Sequence, residues 1–448
     1  MKRPGAYALG TAILLIFAIR LAAVPARSAA MAEPQAHVPT AAARSVTFTR
    51  DIAPILFQNC ASCHHAGDIG PFPLLEYEDA RKRAHQIAAV TGSRYMPPWH
   101  AQSHGEFEGE RKLSSKQIAD IRAWADTGAA EGSVSDLPAR PSFPHEWTLG
   151  TPDAVFEPEA AYTVGAEGTD ETRCFVLPTH FAEDRYIAGL EVKPGNRAAV
   201  HHVVACLDTT GRSRALQQAS DGPGFTPRGN DVNPSNAIAV WAPGCVPLRL
   251  PDGVGTLLPK GADIVLQVHY SKTGKPETDR TKIGVNFCRG PVDKRARFLL
   301  LFQPYLDIPA GDANYVVRAF PTPAIDDITI FKVMPHMHLL GRTMTVTAKL
   351  PDHTQKVLIH VPDWDYRWQT TYTFKEPVRL PKHSIVTMTA SYDNSERNAH
   401  NPSHPPRRVH WGALSKEEMC IAGLMYTSDS EHLTRGKVSE GFYNFGRF

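Results

Sequence analysis

Four segments beyond residue 200 carry histidine or methionine in spacings that can bind a metal ion. They are "AVHHVVAC" with His201 and His202, "VLQVHY" with His269, "MPHMHLLGR" with His336 and His338, and "SKEEMC" with Met419. Imidazole binds both oxidation states of copper, whereas a thioether favours Cu(I). Because alternate residues of a strand share one face, His336 and His338 can reach one ion together.

Each segment taken alone is also compatible with an ordinary strand. Adjacent His201 and His202 normally point to opposite faces, so binding one ion with both needs a strand end or a bulge. A single His269 is typical of a hydrogen-bonded histidine, and a single Met419 is typical of a core side chain. The prediction of a metal site therefore rests on the four segments together.

A different metal chemistry is indicated by "CASCH" near the start of the chain. The thiols of Cys60 and Cys63 can add to the vinyl groups of one haem, whose iron His64 then ligates. Met96 in "SRYMPPWH" is the predicted sixth ligand, because methionine with histidine raises a haem potential into the electron-transfer range. Three histidines are alternatives for that ligand: His65, His85 and His100. A disulfide or a zinc half-site is the alternative role for the two cysteines.

Hydrophobic periodicity divides the chain into a helical part and a β-rich part. Residues 45–133 are predicted to form a small all-α domain, with a capping box at Ser114 and Gln117. With its haem motif this part resembles a class I cytochrome c, an electron carrier. A Pro-rich linker follows at 134–150. Period-two alternation, as in "ADIVLQVHY", then predicts two all-β antiparallel (jelly-roll-like) sandwiches, which we divide into 151–290 and 291–448.

Composition and the N-terminus indicate an exported protein. The net charge is +2 and charged residues make up 21% of the chain, so no basic excess suggests a nucleic-acid partner. Residues 1–32 have the layout of a bacterial-type signal peptide, with Lys2 and Arg3 before an apolar run and a small-residue cleavage site. We therefore expect a periplasmic or secreted protein with no stable membrane span after processing.

Taken together, the metal-binding segments resemble the copper type II, ascorbate-dependent monooxygenases, the family of peptidylglycine α-hydroxylating monooxygenase and dopamine β-monooxygenase. The matching segments are "HHVV", "LQVHY", "HMHLLGR" and "EEMC", in the family's order and at broadly similar separations. "RLPDGVG" at 249–255 also looks like a family segment. The resemblance spans roughly residues 150 to 430.

The resemblance implies two copper ions with separate roles. The electron-storing copper has three implied ligands: His201, His202 and His269. The copper that binds O2 has three others: His336, His338 and Met419. Met334 and Met337 are alternative thioether ligands. Gln267 shares a strand face with His269, so it is expected to orient a water between the two centres.

Departures from the family pattern bear on the substrate and on the cysteines. Met334 stands where the peptide-hydroxylating enzyme has a substrate-gripping arginine, and Ile421 and Gly423 replace its assisting asparagine and tyrosine. We therefore expect an apolar or differently polar substrate rather than a carboxylate-ended peptide. Two disulfides are hypothesised, Cys174–Cys288 and Cys206–Cys245, with Cys420 free.

These features together predict an exported copper-dependent monooxygenase that hydroxylates an unknown organic substrate with O2. One covalent haem c is predicted to deliver the electrons, and a periplasmic donor or an ascorbate-like reductant to reload it. A non-catalytic periplasmic copper-binding and electron-transfer protein is the alternative. A bare electron carrier whose sandwiches have lost metal is a third possibility.

Overall fold

The computed structural model describes residues 45–143, 147–228 and 231–442. The chain divides into two compact units, Met1–Ser45 and Val46–Phe448, and only Ser45 of the first lies among the described residues. The predicted signal peptide, 1–32, lies outside them. Within the described ranges, every helix is too short or too polar to cross a membrane.

Four short α-helices make up the helical part. They are α1 (Ala53–Asn59), α2 (Tyr77–Arg81), α3 (Ala84–Gly92) and α4 (Ser115–Asp126), and a π-helical turn at Phe48–Ile52 precedes them. The predicted capping box is confirmed, since Gln117 N donates to Ser114 Oγ (3.2 Å) and Ser114 N donates to Gln117 Oε1 (2.8 Å). Ile121 and Trp124 of α4 are fully buried in a core shared by these helices.

The prediction of a separate all-α cytochrome c domain is wrong. The described chain is mostly β-sandwich, and its few helices belong to the same compact unit as the sandwiches. The irregular stretch between α3 and α4 packs on the second sandwich: Phe107 bridges to Phe374 and is buried in that sandwich's core. Gln102 N donates to His360 O (2.8 Å). Helical periodicity reports the apolar face of each helix, but it does not reveal what that face packs against.

The first sandwich is built from two main antiparallel sheets. Its strands are β1 (Ala154–Phe156), β2 (Tyr162–Val164), β3 (Glu171–Pro178), β4 (Arg185–Lys193), β5 (Val200–Asp208), β6 (Ala237–Trp241), β7 (Leu248–Arg249), β8 (Val254–Leu258), β9 (Asp263–Tyr270), β10 (Glu277–Asp279), β11 (Lys282–Phe287) and β12 (Lys294–Arg295), with α5 (Arg212–Gln218) after β5. One sheet has the order β3-β9-β5-β6, and the other has the order β1-β11-β4-β8-β12, in which β12 runs parallel to β8. A small pair joins β2 to β10. Apolar side chains from both sheets fill the space between them.

The second sandwich repeats this plan. Its strands are β13 (Arg297–Phe302), β14 (Asp307–Ile308), β15 (Tyr315–Arg318), β16 (Thr322–Pro323), β17 (Ile328–His336), β18 (Gly341–Lys349), β19 (Gln355–Val361), β20 (Tyr372–Leu380), β21 (Ile385–Tyr392), β22 (Val409–His410) and β23 (Ile421–Ser428). The two sheets have the orders β13-β23-β17-β20 and β15-β21-β18-β19. Period-two alternation in "TMTVTAKL" and "HSIVTMTASYD" predicts two strands of this region, and the alternating burial of β18 and β21 confirms both.

Neither hypothesised disulfide forms, since all seven cysteines lie within the described residues and are free thiols. Cys174 belongs to a small cluster with Phe225 and Val265, apart from the core between the two sheets. Cys288 instead donates to Val254 O (3.6 Å) and Cys245 donates to Thr371 Oγ1 (3.8 Å). Strand alternation decides which side of a sheet each thiol faces, and cysteine order along the chain does not carry that information.

Candidate metal centre

Three imidazoles of the first sandwich come together where β5 and β9 pair. His202 lies opposite His269, and the register shifts between Val200 and His202. That bulge brings the adjacent His201 to the same place as His202, which a regular strand would prevent. One ligand nitrogen from each of His201, His202 and His269 lies within 4.8 Å of the others. The ring centroids are 4.8 to 5.4 Å apart.

Two further imidazoles lie at the end of β17 in the second sandwich. The ring centroids of His336 and His338 are 5.2 Å apart. His336 Nδ1 donates to Gln369 Oε1 (2.7 Å), whose amide nitrogen donates to Tyr366 O (3.1 Å). His338 Nδ1 donates to Glu417 O (2.9 Å). Both hydrogen bonds occupy Nδ1, so each Nε2 keeps a lone pair for a metal ion.

The two histidine sets meet in one cluster. The ring centroids of His202 and His336 are 5.9 Å apart. The Tyr366 ring lies within the same cluster, 4.9 Å from His201 and 5.9 Å from His338. Residues that are up to 137 positions apart in the sequence are thus brought together by the facing ends of the two sandwiches.

The segment that carries Met419 lies beside His338. The buried Glu418 carboxylate accepts from His338 N (2.8 Å) and from Leu340 N (2.6 Å), and the Tyr392 hydroxyl donates to Met419 O (2.8 Å). Met419 itself is half-buried. These bonds hold the loop after β17 against the entry to β23.

The other sulfur and amide candidates differ in burial and in strand position. Met337 is fully buried in the core of the second sandwich. Met334 lies opposite Gly423 on β23 and is half-buried. Gln267 is on β9 between Cys174 and Val204, whereas Gln369 is the glutamine bonded to an imidazole.

Four imidazoles of the cluster, those of His201, His202, His336 and His338, are neutral at pH 7. Burial is the largest cause in each case: it lowers the pKa of His201 and of His338 to about 4 and the pKa of His336 to about 3. Burial and the neighbouring imidazoles hold the pKa of His202 well below its usual range. Neutral rings offer lone pairs without competition from protons, as metal binding requires.

One carboxylate approaches the first set. Asp170 Oδ2 lies 3.5 Å from His269 Nε2. Burial raises the pKa of Asp170, but the hydrogen bond and charge of His269 outweigh burial, so the pKa is lowered overall. The site thus includes a negative charge that would complement a bound cation.

A separate cavity of about 330 Å³ is lined by the predicted haem ligands and by apolar side chains. Cys60, Cys63, His64 and Met96 all line it, with Phe72, Leu74, Ile87 and Val90 among the apolar residues. His64 Nδ1 donates to Phe72 O (3.0 Å), which leaves Nε2 for an axial bond. A Cβ at Gly70 would lie 2.5 Å from Cys63 O and 2.9 Å from His64 Cγ, so the loop around the motif closes tightly only with glycine there.

The rival axial ligands make other contacts. His65 stacks on Phe143 at 4.2 Å and pairs with Asp68 (3.4 Å). His100 Nδ1 donates to Asp363 O (3.0 Å), and His85 is exposed.

Residues of the segment "DWDYRWQ" were missed by the sequence reasoning. Tyr366 and Gln369 join the histidine cluster, and Trp368 lines the cavity that Cys60 and Met96 also line. Three aromatic residues, Trp364, Tyr366 and Trp368, lie within five consecutive positions of this connection between strands. Such a density of aromatic residues is typical of a packed loop. Nothing in their spacing shows which sites the loop would contact.

Comparisons with known proteins indicate one class. Residues 314–438 match the family model described as "Copper type II ascorbate-dependent monooxygenase, C-terminal domain". This match supports, for the second sandwich, the family that the sequence motifs predicted.

A curated relative agrees with that class. The chain is 24% identical over 212 residues to "DBH-like monooxygenase protein 1" from Gallus gallus. The aligned region covers 42% of this chain and 32% of the relative. The chain therefore spans about a third of that protein's length.

Solved structures add little. The infectious bursal disease virus VP2 subviral particle aligns with 64% of this chain and 74% of its own at 13% identity, with a TM-score of 0.20. The major capsid protein P2 from bacteriophage PM2 aligns with 64% of this chain and 99% of its own at 7% identity, with a TM-score of 0.25. Likenesses at this level support no conclusion about function.

Proposed function

We propose that the protein is a copper-dependent monooxygenase that hydroxylates an organic substrate with O2. The observation that carries the proposal is the convergence of five imidazoles from two sandwiches. The family match over residues 314–438 supports the same reaction class. In that reaction one oxygen atom enters a C–H bond and the other leaves as water, with two electrons and two protons consumed.

The histidines divide between two copper ions in this proposal. His201, His202 and His269 hold one ion, and the second ion has its own three ligands: His336, His338 and Met419. Copper, when bound, supplies O2 activation and one-electron storage. The chain supplies orientation: Gln369 and the Glu417 carbonyl hold two imidazoles through Nδ1, and the buried Glu418 holds the loop between them and Met419.

The residues beside the second ligand set favour a substrate without a carboxylate. Met334 and Gly423 face each other across β17 and β23, next to His336. A Cβ on Gly423 would lie 3.3 Å from Met334 Cε and 2.8 Å from the Phe298 ring, so this neighbourhood is apolar and closely packed. An anionic group placed there would lose its hydration without gaining a cationic partner.

Electrons are proposed to enter through a covalent haem bound by Cys60, Cys63, His64 and Met96. The cavity that these four residues line supports this, as does the tight glycine at position 70. Arg111 and Trp368 also line the cavity, and Arg111 Nε and Trp368 Nε1 are buried without a hydrogen-bond partner among the described residues. Two such donors suit the propionates of a haem. Attachment of this kind accords with the proposed signal peptide and a periplasmic or secreted location.

The test of the function combines metal analysis with turnover. We expect two copper ions and one covalent haem per chain, and O2 uptake coupled to a product that carries label from isotopic O2 in a host extract. His336→Ala and Met419→Ala should abolish labelled product while leaving the His201 set able to bind copper. Exposed His353→Ala is the matched control and should behave as the unchanged protein. Copper binding without O2 turnover would instead establish a non-catalytic copper protein.

A further inference from the structure

We infer that the segment Asp363–Gln369, the bridging segment, conducts electrons from the haem cavity to the histidine cluster through Trp368 and Tyr366. The inference rests on the proposed function, since it needs both haem and copper. The bridging segment connects β19 to β20 and has residues in contact with each site.

At the haem end, Trp368 lines the same cavity as Cys60 and Met96. Its indole Nε1 is buried and has no hydrogen-bond partner among the described residues, so it is available to a group bound in the cavity. The next side chain toward the copper end, Arg367, lies over the ring of Tyr95 at 5.1 Å and donates to the Tyr95 hydroxyl (3.2 Å). Tyr95 is itself a cavity residue, so the segment is attached to the cavity wall.

At the copper end, the Tyr366 ring packs on the imidazoles. Its centroid is 4.9 Å from His201, 5.9 Å from His338 and 6.4 Å from His269. Gln369, three residues later, accepts a hydrogen bond from His336 Nδ1 through its Oε1 atom. The bridging segment therefore contacts ligands of both proposed copper ions, and it reaches the haem cavity two residues beyond Tyr366.

Hydrogen bonds hold the bridging segment in one conformation. Trp364 Nε1 donates to His338 O (3.1 Å), Trp364 N donates to Arg342 O (2.8 Å) and Trp368 N donates to Asp365 O (3.0 Å). His100 Nδ1 donates to Asp363 O (3.0 Å). A rigid segment keeps the gaps between the aromatic rings constant, and electron tunnelling falls off steeply as such gaps widen.

Each transfer moves one electron. The haem iron is oxidised from ferrous to ferric, and one Cu(II) ion is reduced to Cu(I). Two transfers supply one hydroxylation, and an external one-electron donor reduces the haem again after each. The side chains of Trp368 and Tyr366 end each transfer in the state in which they began it, so no proton need be exchanged with them.

An ion pair outside the bridging segment provides a comparison. Asp68, just after the haem motif, pairs with Arg197, close to His201 in the chain. Both side chains are aliphatic apart from their charged ends, so this contact has no aromatic ring to shorten the gaps. Arg197→Ala removes this ion pair and leaves the aromatic rings of the bridging segment in place. The variant therefore tests whether electron transfer depends on the ion pair or on the rings.

The experiment uses the full-length protein loaded with haem and Cu(II), without O2 or substrate. A light flash reduces the haem through a photosensitised donor, and the loss of ferrous haem absorbance gives the transfer rate. Trp368→Leu and Tyr366→Leu should each slow this decay by about tenfold or more, a rise in the barrier of about 1.4 kcal/mol or more. Trp368→Phe and Tyr366→Phe keep a ring and should stay closer to the unchanged protein. Arg197→Ala and Trp147→Leu, at a half-buried tryptophan that packs against Lys193 and Lys282 of the first sandwich, should not change the rate.

Haem content, haem potential and the copper electron paramagnetic resonance spectrum are measured for every variant. If ferrous haem absorbance decays as fast in Trp368→Leu as in the unchanged protein, the inference is wrong and the proposed function is unaffected. The same holds if the change in haem potential explains the slowing entirely. Absence of covalent haem or of bound copper from the unchanged protein would instead refute the proposed function on which it rests.

Discussion

At the scale of single residues, the site depends on side chains that hold the ligands as much as on the ligands. The Gln369 amide is oriented by Tyr366 O and accepts from His336 Nδ1. Such a partner fixes both the ring's tautomer and its direction.

Gln369→Leu should therefore weaken copper binding at the His336 site by about 10- to 100-fold. Gln369→Glu retains an acceptor and should retain most of the affinity. Copper titration followed by electron paramagnetic resonance measures both. Gln355→Leu, at an exposed glutamine, is the control; equal affinities for the Gln369→Leu and Gln355→Leu variants would contradict the assigned role.

Gly70 supports the cavity lined by Cys63 and His64 as Gln369 supports the histidine cluster, because the chain packs tightly against it. Gly70→Ala should prevent or strongly reduce covalent haem attachment, because the added Cβ would lie 2.5 Å from Cys63 O. Haem absorbance per protein measures the effect. Gly92→Ala, at the end of α3, meets no atom within 4 Å and should leave attachment unchanged. Full haem content in Gly70→Ala would contradict this prediction, because it would show that the loop can move to accommodate the added Cβ.

At the scale of elements, a buried ion cluster joins the start of the second sandwich to its C-terminal turn. The fully buried Glu431 carboxylate pairs with Arg295 on β12 (2.6 Å) and with Arg297 on β13 (2.7 Å). Burial raises the pKa of Glu431, but hydrogen bonds from Arg297 and Arg295 outweigh it and hold the pKa at about 2. Breaking such a pair leaves a buried charge without its partner.

The low pKa of Glu431 predicts that the stability of the fold depends on pH. Because the folded pKa lies below the unfolded value, the carboxylate stabilises the fold fully above about pH 5, and the contribution is lost as the pH falls toward about 2. Glu431→Gln should lower the free energy of unfolding by about 3 kcal/mol at pH 7, and the deficit should shrink on acidification. Denaturant unfolding at several pH values measures it. Glu440→Gln, at an exposed partner of Arg297, should change little; a pH-independent deficit in Glu431→Gln would contradict the account.

At the scale of the whole molecule, the helical part is packed on the sandwiches. Phe107 is buried against Tyr372 (ring centroids 5.4 Å apart) and Phe374 (5.0 Å). Arg111 donates to Gly244 O (2.9 Å) in the first sandwich. This packing brings the cavity lined by Cys60 and Met96 close to the bridging segment, whose Trp368 also lines it.

Phe107→Ala should therefore destabilise more than the helical part. We expect a loss of about 3 to 5 kcal/mol and faster hydrogen exchange in both residues 100–110 and β20. Thermal unfolding and hydrogen exchange by mass spectrometry are the measurements. Phe320→Ala, at an exposed phenylalanine, is the control. Faster exchange confined to the helices, with β20 unchanged, would indicate that the helical part unfolds by itself.

Much of the fold and site was predictable because it depends on local chemistry. Period-two alternation in β9, β18 and β21 marks strands, and Ser114 with Gln117 marks the start of α4. The need for a strand end or a bulge at His201 and His202 followed from strand geometry alone, and a register shift is found there. The separate all-α domain and the two disulfides were not predictable in this way, since both depend on which surfaces meet.

By itself, the sequence determined which side chains are available: the imidazoles and thioether that copper favours, and the C-x-x-C-H motif that haem attachment requires. These are properties of residue type and short spacing. Only the tertiary structure decided that His202 and His336 lie in one cluster, and that Tyr366 and Trp368 lie between that cluster and the haem cavity. The physical reason is that such neighbours are set by the packing of whole sheets, whose contacts join residues far apart in the chain.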